Sequence, residues 1–186
     1  MIHLFVLAAC LPSWALANDG WWSNSSTPYA FDQENPQIQL VREHVHLDLQ
    51  NGKTTVTVTF LFTNHGPATT VTMAFPETQK SLGSSLANFR SWVDGEEVDV
   101  TYRVLQEDRP GEYEDIDYKA VWLKQVSFDE GQARVVKVRY VQRNSYSTFG
   151  TQFFEYIFKT GASWQGNIEE IRVTYDTKNI FPMSAP

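Results

Sequence analysis

The sequence predicts an all-β protein, an antiparallel β-sandwich that is immunoglobulin-like in the broad sense, with about eight to nine strands and little helix. Three observations carry that prediction. Apolar and polar residues alternate through almost every segment after Pro36, turn dipeptides such as Asn51-Gly52 and Asp94-Gly95 punctuate the alternation, and no stretch sustains a helical period.

In chain order, Val41, Val45, Leu47 and Leu49 point one way while Arg42, His44, His46 and Asp48 point the other, and Asn51-Gly52 closes a hairpin. From Lys53 to Thr63, Val56, Val58, Phe60 and Phe62 alternate with Thr55, Thr57 and Thr59, a half-buried pattern built from β-branched and aromatic residues. Asn64-His65-Gly66-Pro67 ends that strand. Val71, Met73 and Phe75 form a third, closed by Pro76, and the segment from Gln79 to Asn88 suits a loop or a single helical turn. Phe89 to Val93 and the run Val98, Val100, Tyr102, Val104 make a hairpin about Asp94-Gly95.

Val121 to Phe128 and Arg134 to Arg143 flank Asp129-Glu130-Gly131, with Val136, Val138 and Tyr140 facing in and Lys137, Arg139 and Arg143 facing out. Phe154, Tyr156 and Phe158 then lead through Thr160 to Gly166 into Ile171, Val173 and Tyr175. Hairpin links without crossover helices imply antiparallel sheets whose one-sided apolar faces pack together. A partly closed barrel is the alternative.

Residues 1–17 read as a signal peptide: an apolar run from Ile2 to Leu11, Pro12, and the small-x-small triplet Ala15-Leu16-Ala17, with cleavage expected before Asn18. The run is shorter than the roughly 20 residues that span a bilayer. His3 stands where a Lys or Arg is usual, and Leu7-Ala8-Ala9-Cys10 offers a lipoprotein box as the minority alternative. Residues 18–36 form an extended aromatic lead-in, 37–178 the sandwich domain and 179–186 a tail. The expected location is periplasmic or extracellular. Cys10 is the sole cysteine, so cleavage leaves a disulfide-free domain that depends on its core. A net charge of -7 argues against a nucleic-acid partner and against anionic membrane surfaces.

His44 and His46 share one strand face, about 7 Å apart, from which two imidazoles can reach one metal, but no third ligand is indicated. Residues 106–117 hold six carboxylates around Pro110-Gly111 without the spacing of a twelve-residue calcium loop, which favours a solvated acidic loop. Trp164, bracketed by Gly161 and Gly166, is either a lid on the sandwich core or, with Trp21 and Trp22, an aromatic platform for a sugar ring or peptide; large aromatics usually serve cores. Ser84, Ser145 and Ser163 lack a nucleophile elbow, and no catalytic pair stands out.

Leu40 to Leu47, Val56 to Asn64, Ala74-Phe75-Pro76, Phe89 with Val93-Asp94-Gly95, and Tyr156 to Ile168 together resemble an exported bacterial family catalogued as a domain of unknown function, number 4424. The resemblance spans most of residues 37–176, and its best marker is the Thr-Gly-x-x-Trp-x-Gly-x-Ile run at 160–168. A weaker likeness is to the N-terminal β-domain that precedes von Willebrand modules. Neither implies a catalytic residue. The expectation is a non-enzymatic extracytoplasmic binding or structural module with a protein or glycan partner and no cofactor. The alternatives are an envelope hydrolase using the 106–117 carboxylates on polysaccharide, or a metal-carrying envelope protein.

Overall fold

A computed structural model describes residues 19–22, 34–78, 86–105, 118–146, 152–154, 156 and 163–180. The acidic stretch 106–117, residues 1–18 and the tail from 181 lie outside them. The described strands are β1 (Gly20–Trp21), β2 (Ile38–Gln50), β3 (Lys53–Asn64), β4 (Thr69–Thr78), β5 (Ala87–Val93), β6 (Glu96–Val98), β7 (Thr101–Val104), β8 (Tyr118–Phe128), β9 (Ala133–Arg143), β10 (Ser145–Tyr146), β11 (Gln152–Phe153) and β12 (Glu170–Asn179). They form a six-stranded sheet ordered β12-β2-β3-β9-β5-β6, a four-stranded sheet ordered β1-β4-β8-β7, and the pair β10-β11. The all-β sandwich is as the alternation predicts, but its twelve strands exceed the eight to nine expected, chiefly through two- and three-residue pieces.

The alternation works as period-two chemistry requires. Val56, Val58, Phe60 and Phe62 of β3, Val136, Val138 and Tyr140 of β9, and Leu47 and Leu49 of β2 turn inward and meet Val71, Met73 and Phe75 of β4 and Val126 and Phe128 of β8 in one buried cluster. Phe75 packs edge-on to Tyr140 at 5.2 Å, and Phe89 stacks on Trp122 at 4.8 Å, which couples the two sheets through aromatic contacts.

Three departures from simple hairpins matter. A bulge between Leu40 and Arg42 gives Val41 no partner on β3, so the inward phase passes from Ile38 and Leu40 to Glu43, Val45 and Leu47. The expected single strand after Asp94-Gly95 is split: β6 stays with β5 in the large sheet, while β7 crosses at Asp99-Val100 to pair with β8 in the small one. Finally β12 runs parallel to β2, pairing Arg172 with His44 and Thr174 with His46. The sheets are therefore not wholly antiparallel as the hairpin pattern implied, because β12 reaches its partner by a long connection rather than a turn.

The lead-in supplies β1, and its short length belies its ties. Gly20 and Trp21 pair with Ala74 and Met73 on β4. The Trp21 backbone N–H donates to Ser163 Oγ at 2.7 Å, and the Trp164 indole N–H donates to the Asp19 carbonyl. The Asp19 carboxylate, 0% exposed, accepts from Lys124 Nζ at 2.5 Å, itself 3% exposed. Burial pushes the Asp19 carboxyl above its ordinary value, and the Lys124 ammonium pulls it back.

Candidate functional site

Because β2, β3, β9 and β5 alternate in register, their outward residues fall into rows that cross the large sheet. One row runs Arg172, His44, Thr59, Lys137, Trp92, Glu97, and the next runs Thr174, His46, Thr57, Arg139, Arg90. Neighbouring rows are about 7 Å apart along a strand, and neighbours within a row about 4.8 Å. Seen along the strands, the face carries three strips: cations on β9, the hydroxyls of Thr55, Thr57 and Thr59 on β3, and the imidazoles of His44 and His46 on β2.

Among the described residues seven Lys and Arg side chains project from this face against four acids, although the protein as a whole carries -7. The seven are Lys53, Lys137, Arg139 and Arg143 on β3 and β9, with Arg42, Arg90 and Arg172 on their neighbours. Arg90 is paired with Glu97, and Arg172 with Glu170 at 2.8 Å. Lys137 Nζ lies 4.3 Å from the Trp92 ring centre and the Arg90 guanidinium 5.0 Å from it. Among the described residues Arg42, Lys53, Arg139 and Arg143 have no carboxylate within ion-pair distance.

Three of the cross-strand pairs on this face join like charges, two of them cationic and one the acidic Asp48 beside Asp176. Lys53 stands directly opposite Arg143, and Arg90 directly opposite Arg139. Like charges in that position destabilise a sheet. The Arg90–Glu97 ion pair offsets part of the Arg90–Arg139 opposition, whereas Lys53 and Arg143 have no such partner.

Where the bulge at Val41 re-aims β2, the face dips into an open depression of about 290 Å³ lined by Arg42, His44, Thr59, Leu61, Glu170 and Arg172 among others. Beside it both imidazoles turn to one hydroxyl: His44 Nε2 lies 3.1 Å and His46 Nδ1 3.0 Å from Thr174 Oγ1 on β12. Among the described residues no group of three or more His, Cys, Asp or Glu is placed to hold a metal. The two histidines that the sequence brings to one face thus meet a threonine there.

The three tryptophans occupy different places. Trp164 is 1% exposed, meets Phe62 edge-on at 4.9 Å and closes the core over the lead-in. Trp21 packs inward against the same core. Trp22 turns outward but is buried on the far face of the small sheet against Ala74 and Val121, with Leu105 and Leu123 alongside. They do not share a face. Gly166, at φ +64, aims its N–H at Glu34 Oε1, 2.8 Å away, which fastens the turn after Trp164.

The local pattern did not single out Glu43 and Lys124, two inward charges. Glu43 is 1% exposed and accepts from the Tyr156 hydroxyl at 2.8 Å. Burial first, and the Glu43 carboxylate second, push the Tyr140 phenol well above its ordinary value, so it stays protonated. Glu43 shares the parity of Val45 and Leu47, which was the available signal; Lys124 shares that of Val126 and Phe128.

Comparison with protein-family models and with curated proteins finds no match. Among solved structures, the chain is similar to a Legionella pneumophila protein provisionally assigned as a nutrient binding protein, with 20% identity and a TM-score of 0.61 over 72% of this chain and 48% of that one. The chain thus spans about half the length of that protein. A two-domain M1 zinc metallopeptidase aligns over 62% of this chain and 22% of that one at 11% identity, with a TM-score of 0.33, too low to indicate a common fold. The likeness to the Legionella pneumophila protein is one of fold: an all-β sandwich.

Proposed function

We propose that this chain is a non-enzymatic binding module that works outside the cytoplasm and meets its ligand on the open face of the six-stranded sheet. The observation that carries the reading is the concentration of seven cations on one uncovered face of an acidic protein, two pairs of them opposed at a cost to the sheet. Uneven charge of this kind steers and holds a partner. The assignment of the Legionella pneumophila neighbour as a nutrient binding protein agrees with it.

Two further points support the extracytoplasmic part. Asp19, one residue beyond the expected cleavage position, is buried in the sandwich, so a cleavage before Asn18 would keep it. The chain's only cysteine lies before that point. The resemblance to the 4424 family suits the same location. The three buried carboxylates among the described residues, Asp19, Glu43 and Glu77, accept from Lys124, the Tyr156 hydroxyl and the Leu86 N–H, which are structural partners.

The reading is tested by exposing residues 18–186 to arrays of glycans and of envelope proteins while assaying glycan and ester turnover. Retention of a ligand without turnover is expected. Turnover abolished by substituting carboxylates of residues 106–117 would replace the binding module with a hydrolase.

A further inference from the structure

We infer that the ligand of this face is a linear acidic polysaccharide, one that carries carboxylate or sulfate groups along its sugar chain; the inference rests on the binding-module reading above. Lys137, Arg139 and Arg143 mark a track along β9 whose outermost members are six residues apart, roughly 20 Å, and Lys53 and Arg90 widen it on either side. Alternate residues of a strand project to the same side, so the three cations lie in one straight row, with Val141 standing between Arg139 and Arg143. An extended polymer with repeating charge matches such a row; a compact small anion does not.

The polar groups beside the track favour sugar over other polyanions. Thr55, Thr57 and Thr59 run parallel to the cations one strand away, and His44 and His46 one strand further. Hydroxyls and imidazoles at that spacing can donate to and accept from the hydroxyl groups of a sugar chain while the cations hold its acid groups. Single-stranded nucleic acid would want free aromatic platforms for its bases. Trp92 is the one aromatic side chain on the described face, and its ring is engaged by Lys137 and Arg90. A lipid surface would want projecting apolar anchors. The face offers Val135 at its margin and half-buried Leu61 and Val141.

The test is titration calorimetry of residues 18–186 with polygalacturonate, with chondroitin sulfate and with fully methyl-esterified pectin as the uncharged control, repeated with the triple variant Lys53→Thr, Arg139→Thr, Arg143→Thr. Threonine suits a strand, and none of the three residues has an ion-pair partner to orphan, so the variant keeps the fold. The expected result is binding to one or both acidic polymers, no binding to the esterified one, a loss of about tenfold on raising salt from about 50 to about 500 mM, and a further loss of at least about tenfold in the variant at low salt. Equal binding of the uncharged polymer, or full binding by the variant, overturns the inference and leaves the binding-module reading standing on a different ligand. Tighter binding of single-stranded DNA or of anionic vesicles than of either acidic polymer overturns it in favour of those partners. Self-association of the wild-type chain that the triple variant abolishes overturns it in favour of a second copy. Failure of every glycan and protein in the arrays removes both readings.

Discussion

The two sheets of this sandwich have opposite outer faces. The four-stranded sheet covers part of its outer side with Trp22, which lies against Ala74 and Val121 beside Leu105 and Leu123, while Thr70, Arg103, Gln125 and Ser127 on that side stay exposed. The six-stranded sheet leaves its outer side to solvent and lines it with cations, threonines and histidines. Antiparallel sheets usually keep one side wet, so the covered face is the one to explain. The described part of the lead-in pairs β1 with β4, sets Asp19 on the inward-facing Lys124, and places Trp22 over part of the outer side. The apolar patch under Trp22 therefore contributes stability, whereas the outer side of the six-stranded sheet carries the polar groups of the proposed site.

That contrast can be broken most sharply where the lead-in is anchored. Trp164→Ala removes the indole that packs on Phe62 and holds the Asp19 carbonyl, and should cost about 3 to 5 kcal/mol in urea unfolding. Asp19→Asn strands the Lys124 ammonium in the interior and should cost about 3 kcal/mol, most of which Asp19→Asn with Lys124→Met should restore. If the single Asp19 variant unfolds at the wild-type urea midpoint, the lead-in is not an integral part of the covered side. Trp22→Ala, at the edge of that side, should cost about 2 kcal/mol.

These anchors also mark how far the residues speak for themselves. The inward and outward sides of β3 and β9 follow from their own alternation, since each residue type there matches its side. The bulge at Val41 has no residue signature and shifts the phase of Ile38 and Leu40 against that of Val45. The parallel seat of β12 depends on a partner more than 120 residues away. The site shows the same division: Lys137, Arg139 and Arg143 read as outward from sequence, whereas their meeting with Arg90 and Lys53 depends on strand register, which local periodicity does not encode. Trp21 and Trp22 visibly needed shelter, but which side each took was settled by pairing with β4.

A smaller effect is expected at the rim between the faces. Asp94, in the turn between β5 and β6, accepts from the Val135 N–H and from Arg134 Nε, each at 2.8 Å. Burial raises its carboxyl, but the Val135 N–H and the Arg134 guanidinium outweigh burial and hold it below its ordinary 3.8. A depressed carboxyl stabilises the fold above its unfolded value and loses that contribution as pH falls through the folded one. The pair is half open to water, so Asp94→Asn should cost less than about 1 kcal/mol at neutral pH. Its φ of 49° suits Asn, so backbone strain adds nothing. The gap between the variant and wild type should narrow as pH falls below 3.8; a gap in urea unfolding that does not narrow on acidification would assign the cost to the turn rather than to the charge.

The smallest effect should have the opposite sign, and it bears most directly on what the bare side is for. Arg139 faces Arg90 across β9 and β5, and replacing it with Thr removes a like-charge opposition while keeping a good strand former. Arg139→Thr should raise stability by about 0.3 kcal/mol, where an ordinary surface change scatters around zero. Thr57→Val, on the same row, serves as a control for changes that alter hydrogen bonding without charge. If Arg139→Thr lowers the urea midpoint, Arg139 has a stabilising partner and the bare face is part of the folding machinery after all. If it raises the midpoint, the sheet keeps Arg139 at a cost to its own stability, as expected of a side chain held for a partner.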